Sequence, residues 1–382
     1  MGNTIIIGSS VRGVRPVRLG DDAFPVIFAN IGMSGTSSSI EEERTKAARA
    51  LAAGADVISE LSLVEDIPDA QRRLMEGVDA PFATVSAYEA YIRAGRQDGK
   101  LDAEAVVRIF EDEVLRGFDV VTLHATAFRN DKRLLEASER IIPCTSRGGA
   151  MMLELARRNG YENPFYTYFE DILDVAAKYS VCLSLGPCYR PGSVLDSGDD
   201  LYFAEMQRMA ELAEKARKKG VGVAVEGIGH ASIDRIPEII RKSKAICGGA
   251  PYRVLTVSTD IALGYDHVAS AIASAVAVMS GACSITCVTR SEHIGLPSAD
   301  DLEEAVAAAR IAAHSGFIAR GGDASADRRM SEARQQNGCI GDITCALYPE
   351  GAQRMIRARR YGKPGKGCTM CGDYCPFEMG EK

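Results

Sequence analysis

No stretch of the 382-residue sequence approaches the roughly 18 uninterrupted apolar residues of a membrane span. The longest apolar stretch, around 268–282, is rich in Ala, Ser and Gly and reads as a buried helix. Basic residues are not in excess either. With 45 Lys and Arg against 52 Asp and Glu, the formal net charge is −7, which argues against a general nucleic-acid binder, because phosphate contacts need a basic face. The start, with a short apolar run and Ile6 where a myristoylation signal asks for a hydroxyl, lacks secretory and lipidation features. A cytoplasmic location without membrane contact is therefore expected. Internal repeats and low-complexity segments are missing, and histidine is scarce, at five. Cysteine is plentiful, but eleven is an odd number, and in a cytoplasmic chain thiols or metal ligands are expected rather than disulfides. What remains is globular composition, 46% hydrophobic and 25% charged, long enough to bury a large core.

Short β-branched apolar runs alternate with amphipathic stretches, the pattern of parallel β/α units. The candidate strands are 25–30, 56–61, 82–85, 119–124, 141–145, 181–185, 222–226, 254–258 and 283–288. That is one more than a (β/α)8 barrel of the TIM type needs, and a doubly wound open sheet is the alternative. Polar residues decide between them. Nearly every strand ends in a loaded tail, among them Asn30, Tyr88, His124, Ser146-Arg147-Gly148-Gly149, Arg190-Pro-Gly and Glu226-Gly-Ile-Gly-His230. In a barrel all these ends converge on one mouth; along an open sheet they would spread out. The barrel is expected over 1–322. Residues 323–382 read as a helical, cysteine-containing tail, with a charged helix over 323–336, a basic helical patch over 349–361 and a glycine-rich arm before the last cysteines.

Cys368-Thr-Met-Cys371-Gly-Asp-Tyr-Cys375 places three thiols within eight residues. A 4Fe–4S cluster held by three thiolates leaves one iron open, and that iron can bind S-adenosylmethionine (SAM) and pass it an electron. A zinc site, with Cys339 or Cys345 as fourth ligand, and a redox trio are the alternatives. His230 and His293, at two strand ends, are candidate ligands of a mononuclear divalent metal, zinc or iron. Ser146-Arg147-Gly148-Gly149 is a candidate phosphate cradle, and Glu226 and Asp260 are candidate acid–base groups.

Ala29-Asn30-Ile-Gly, Thr36-Ser-Ser-Ser-Ile-Glu-Glu-Glu43, Ser146-Arg-Gly-Gly149, Ser184-Leu-Gly, Arg190-Pro-Gly-Ser193, Glu226-Gly-Ile-Gly-His230, Ser258–His267, Glu292-His-Ile-Gly-Leu-Pro297 and the terminal Cys-Thr-Met-Cys-Gly occur in order. Together they resemble the signature segments of the ThiC family of radical-SAM synthases, from about Pro25 to Cys375. The resemblance implies a barrel with a C-terminal cluster tail and a homodimer. It implies 5-aminoimidazole ribonucleotide as substrate, SAM as co-reactant and an electron donor such as flavodoxin or ferredoxin. Carried over, Asn30, Tyr88, His124, Ser146, Arg147, Gly148, Arg190, Glu226 and Tyr252 match substrate-binding positions. His230 and His293 match metal ligands, and Cys368, Cys371 and Cys375 match cluster ligands.

The departures point to a different product. The family's pyrimidine synthases read Asp-Gly-Leu where this sequence has Pro187-Cys188-Tyr189, and a substrate-contacting Met where it has Ser59. The following Thr-Gly-Gly is replaced by Leu63-Val64-Glu65, the last cluster gap is one residue shorter, and nothing matches the extra N-terminal domain of bacterial members. Short ThiC paralogues of this kind make 5-hydroxybenzimidazole for the lower ligand of cobamides, and that product is expected here. Cys188 and Tyr189 then become candidate catalytic groups. The alternatives are the thiamine pyrimidine, a non-radical metal-dependent barrel lyase, and a non-catalytic nucleotide or SAM sensor.

Overall fold

The computed structural model describes residues 4–8, 11–35, 37–358, 368, 370–371 and 374–379. The chain divides into two compact units, Met1–Arg320 and Gly321–Lys382. In the first, two short strands, β1 (Ile5–Ile7) and β2 (Val17–Leu19), form an antiparallel hairpin. Eight parallel strands follow: β3 (Val26–Ile31), β4 (Val57–Glu60), β5 (Phe82–Val85), β6 (Val120–Leu123), β7 (Cys182–Leu185), β8 (Val223–Gly227), β9 (Tyr252–Val254) and β10 (Ser284–Thr286). They close in the order β10-β3-β4-β5-β6-β7-β8-β9, a (β/α)8 barrel. Strands such as Val57-Ile-Ser-Glu60 are buried along their whole length, because one face fills the barrel and the other lies under helices.

The interior is layered. Val26, Val57, Ala83, Val120, Cys182, Ala224 and Cys283 form an apolar layer at the strands' N-terminal ends. The hairpin packs Ile5, Ile7, Val17 and Leu19 against it and closes that end. Two strands of three residues carry too little pattern to announce themselves, so this plug was not expected from the sequence. Polar interior residues lie above the apolar layer, toward the strands' C-terminal ends.

One candidate strand is corrected. Residues 141–145 form no strand; they are a loop over which Ile141 and Ile142 are exposed. Their N–H groups donate to the Asp196 carboxylate, at 2.9 Å each, and so are spent outside any ladder. Pro143 then removes the next donor. Removing this run leaves eight strands. The eighth candidate range, 254–258, is strand only to Val254, and Val257 instead bridges to His230 above the sheet.

The second unit holds helices Ser325–Asn337 and Pro349–Ala358, a tight turn at Ile343–Cys345 and a short helix at Pro376–Met379. The expected helix over 323–336 lies within a residue or two of the first of these. The end of the basic patch and the glycine-rich arm lie outside the described residues. Among the described residues no helix is long and apolar enough to cross a membrane.

Candidate functional site

A cavity of about 320 Å³ opens at the C-terminal ends of the barrel strands. Alternation along each strand decides what enters it. β8 turns Glu226 inward, β9 Arg253, β4 Ser59, β6 Thr122, β10 Thr286 and β3 Asn30. Of the residues anticipated from sequence, Asn30, Tyr88, His124, Arg147, Gly148, Arg190, Glu226, His230 and His293 line this one cavity.

On the floor, Glu226 Oε1 accepts from Ser184 Oγ at 2.7 Å, Thr122 Oγ1 at 3.1 Å and Arg253 Nη1 at 3.1 Å. Burial opposes its ionisation, but Arg253 and the hydroxyl bonds outweigh burial and hold the carboxyl below the ordinary range. Glu226 is thus an anion, with Oε2 left to meet a ligand. Arg253, 7% exposed, also donates to Thr286 Oγ1 at 2.8 Å and lies 3.8 Å over the Phe28 ring. Its second amino group reaches Ser59 Oγ at 3.4 Å. The sequence reading missed this arginine; a lone Arg inside a buried strand was its signal.

On one wall, the His124 ring fits because two glycines face it. A Cβ on Gly148 would run into the ring, and one on Gly186 would lie 2.9 Å from Nε2. Burial, reinforced by Arg190, pushes its pKa down to about 4 against the pull of Glu226. The imidazole is therefore neutral, and its buried Nδ1 has no partner, as has Asn30 Oδ1. Unpartnered buried polar atoms at a cavity are the mark of a site built for a polar ligand. Because the folded pKa lies below the unfolded value of about 6.5, the unfolded chain binds the extra proton first, and stability falls with acid. Stability should drop by about 2 kcal/mol between neutral pH and about pH 5 through His124, and His124→Asn should flatten that part of the profile in urea unfolding.

Ser146 N-caps helix Arg147–Asn159, its hydroxyl accepting from Gly149 N–H at 3.1 Å. The hydroxyl is spent on the cap and is absent from the cavity lining. What faces the cavity is the helix start: Gly148 and the exposed Arg147, which lies 5.7 Å over the Tyr88 ring. The uncapped N–H groups of the first helical turn plus a guanidinium suit an anion.

At the rim, His230 and His293 stand with ring centroids 5.3 Å apart. His230 Nδ1 bonds Asp260 Oδ1 at 2.8 Å, and His293 Nδ1 bonds Asp266 Oδ1 at 3.0 Å. Each carboxylate engages Nδ1 and leaves Nε2 as the ring nitrogen facing away from it, the arrangement found behind metal-ligating histidines. Asp260, a candidate acid–base group, instead orients His230. Asp266 was not anticipated; an acidic residue at a helix start is ordinary helix punctuation.

Three assignments are corrected. Tyr252 faces outward from β9, fully buried against Tyr202, so Arg253 takes the interior place. Cys188 and Tyr189 do not reach the cavity. Their N–H groups donate to the Glu205 carboxylate, the Tyr189 hydroxyl donates to Asp131 at 2.7 Å, and burial raises the Cys188 thiol well above its ordinary value. They line a separate cavity of about 350 Å³ with Cys144, Leu153 and Arg157. Only Arg190, next in sequence, turns into the site.

The family model of the radical SAM ThiC family matches residues 1–382. The chain belongs to this family. A Thermus thermophilus relative named phosphomethylpyrimidine synthase is 36% identical over 95% of this chain and 84% of its own length. A relative of the same name from Archaeoglobus fulgidus is 36% identical over 98% of this chain and 89% of its own. Dihydropteroate synthase structures from Xanthomonas albilineans and Coxiella burnetii share 14% and 13% identity, with TM-scores of 0.48 and 0.49. They cover 83% of this chain and 99% of each of theirs. As a ThiC radical-SAM enzyme, the chain is a lyase-type synthase acting on a small molecule, and the family implies a 4Fe–4S cluster and SAM.

The donors fit these groups unequally. The two free Nε2 atoms suit one divalent metal, and among the described residues no third His, Cys, Asp or Glu joins them. In the second unit Cys368 and Cys375 are half-buried and Cys371 exposed, all of them free thiols. The free thiol of Cys339 hydrogen-bonds Cys368, and that neighbour chiefly raises it above its ordinary value. Their donor chemistry suits a cluster, although among the described residues no three are gathered at metal-binding distance.

Proposed function

We propose that this ThiC-family chain rearranges 5-aminoimidazole ribonucleotide by SAM-derived radical chemistry, with 5-hydroxybenzimidazole as product. The observation that carries the reading is the floor of the cavity. Ser59, where the family's pyrimidine synthases carry a substrate-contacting Met, accepts a bond from the buried Arg253, which is paired to Glu226. The ring of the substrate therefore meets an ion pair and a hydroxyl, while the anion-binding end is kept. A changed polar environment redirects a bound ligand strongly, because unmatched buried donors are costly. Product choice is assigned to this floor through Ser59, not to Cys188 or Tyr189, which lie outside the cavity.

In this reading the start of helix Arg147–Asn159, with Arg147, holds the phosphate. Glu226 Oε2 accepts from the amino-imidazole, and Asn30 Oδ1 and His124 Nδ1 meet donors or ordered water on the sugar. Tyr88, whose phenol burial keeps protonated, closes the wall beneath Arg147. His230 and His293 hold a divalent metal, zinc or iron, as a charge at the rim. When bound by Cys368, Cys371 and Cys375, the cluster supplies the electron that turns SAM into an adenosyl radical. A homodimer served by a flavodoxin or ferredoxin is the proposed working form.

The second reading, phosphomethylpyrimidine synthase, is favoured by the names of the relatives. One experiment separates them. The anaerobically reconstituted chain is given dithionite, SAM and 5-aminoimidazole ribonucleotide, and products are identified by mass and fluorescence. A benzimidazole is expected; hydroxymethylpyrimidine phosphate would overturn the proposal in favour of the thiamine enzyme. Full activity in aerobically purified, cluster-free protein would remove both in favour of a non-radical lyase.

A further inference from the structure

His230 is delivered to the rim by Gly227-Ile228-Gly229, and that turn is unusual. Ile228 has φ +75° and Gly229 φ +74°. Glycine takes this left-handed conformation freely, but a β-branched residue does so only where its surroundings impose it. The Ile228 side chain is buried. A Cβ on Gly229 would lie 2.7 Å from the Pro191 carbonyl oxygen, so no side chain fits there. Beyond the turn, His230 N–H donates to Pro191 O at 3.4 Å and Ala231 N–H to Val257 O at 3.1 Å.

At the start of the turn, Ile228 N–H donates to the Tyr202 hydroxyl at 3.3 Å, away from the cavity. That hydroxyl also bonds Ser243 Oγ at 3.1 Å and the Tyr252 hydroxyl. Both tyrosines are fully buried. The pair presses on the turn itself: a Cβ on Gly227 would collide with the Tyr252 hydroxyl and lie 2.7 Å from that of Tyr202. A buried N–H deprived of its acceptor is costly, so the turn holds its shape only while the Tyr202 oxygen is there.

We infer that Tyr202 and Tyr252 are positioning residues: their buried hydroxyl pair clamps the left-handed turn at Gly227–Gly229 from outside the barrel and so aims the His230 imidazole at His293. Tyr252 thereby gains a role unlike the substrate contact carried over from the family. The inference rests on the reading of His230 and His293 as metal ligands for its consequence, but not for the clamp itself.

The test uses the full chain, freed of metal and titrated with Co²⁺, alongside hydrogen exchange of the peptide spanning 226–231. Tyr202→Phe is expected to weaken Co²⁺ binding by about 10–100-fold, the usual effect of losing a group that orients a ligand. It should also alter the visible Co²⁺ spectrum and speed exchange at Ile228–Ala231 while the other barrel peptides keep their rates. Tyr252→Phe should move both readouts the same way by less. Unchanged affinity and unchanged local exchange in Tyr202→Phe would overturn the inference, even with a lowered melting temperature, since that is what a merely structural tyrosine would give. If His230→Ala binds Co²⁺ as wild type does, the metal reading fails, and local exchange alone then decides the clamp. Should Tyr202→Phe not fold, Tyr252→Phe replaces it, since it removes the other hydroxyl of the pair while leaving the Ile228 acceptor in place. Unchanged Co²⁺ affinity and unchanged exchange at Ile228–Ala231 in that variant would equally overturn the inference.

Discussion

Glu226→Gln should cost about 3 kcal/mol of stability, because it leaves Arg253 buried without its counter-charge. Removing one partner of a buried pair is far worse than replacing both, since the orphaned charge keeps its desolvation penalty. The Glu226 side chain is 17% exposed and that of Arg253 8%, which places the effect at the lower end for buried pairs. Urea unfolding checks the value, and the double variant Glu226→Gln, Arg253→Met should recover most of it. A double variant as unstable as the single one would show that the ion pair is not the cause. Activity should behave differently. Both variants lose the acceptor at Oε2, so turnover of 5-aminoimidazole ribonucleotide should fall by more than about 100-fold in each, with no recovery in the double. Stability that returns without activity would separate the structural duty of the pair from its duty toward the ligand.

Cys371→Ala should abolish SAM cleavage altogether. Two thiolates do not retain a cluster that three hold with one iron open, so the reduced-cluster EPR signal and 5′-deoxyadenosine should disappear together. Cys371 belongs to the unit from Gly321 onward, whereas the cavity-lining residues belong to Met1–Arg320. Binding of 5-aminoimidazole ribonucleotide, measured by calorimetry without SAM, should therefore stay within about twofold of wild type. A cluster signal that survives in Cys371→Ala would transfer ligation to another thiol, and Cys339, hydrogen-bonded to Cys368, is the first to test.

Much of the barrel and its mouth was legible because loaded residues such as Asn30, His124 and Glu226 stand at or just past strand ends, and a closed parallel barrel brings all those ends together. What was not legible turns on facing and accessibility. Tyr252 and Arg253 are neighbours in a strand of three residues, and a shift of one position exchanges the inside for the outside. A strand buried on both faces has no polar alternation to settle the choice; the charge of Arg253, needing a partner, was the better guide. Ile141 and Ile142 are β-branched and apolar, yet they cover a surface loop whose N–H groups are taken by the distant Asp196. Cys188 and Tyr189 adjoin a true lining residue, but Glu205, sixteen and more positions away, captures their backbone and turns them out. Each miss involves a partner far along the chain that no local pattern announces.

The hairpin of Ile5–Ile7 and Val17–Leu19 stops one end of the barrel with hydrocarbon. With that end closed, the Arg253–Glu226 floor belongs to the cavity at the opposite, C-terminal end of the strands. A vessel stoppered at its base fills from the brim: a group that reaches the floor must first clear the rim residues, so a bulky side chain set at the rim would slow traffic to the floor without touching it.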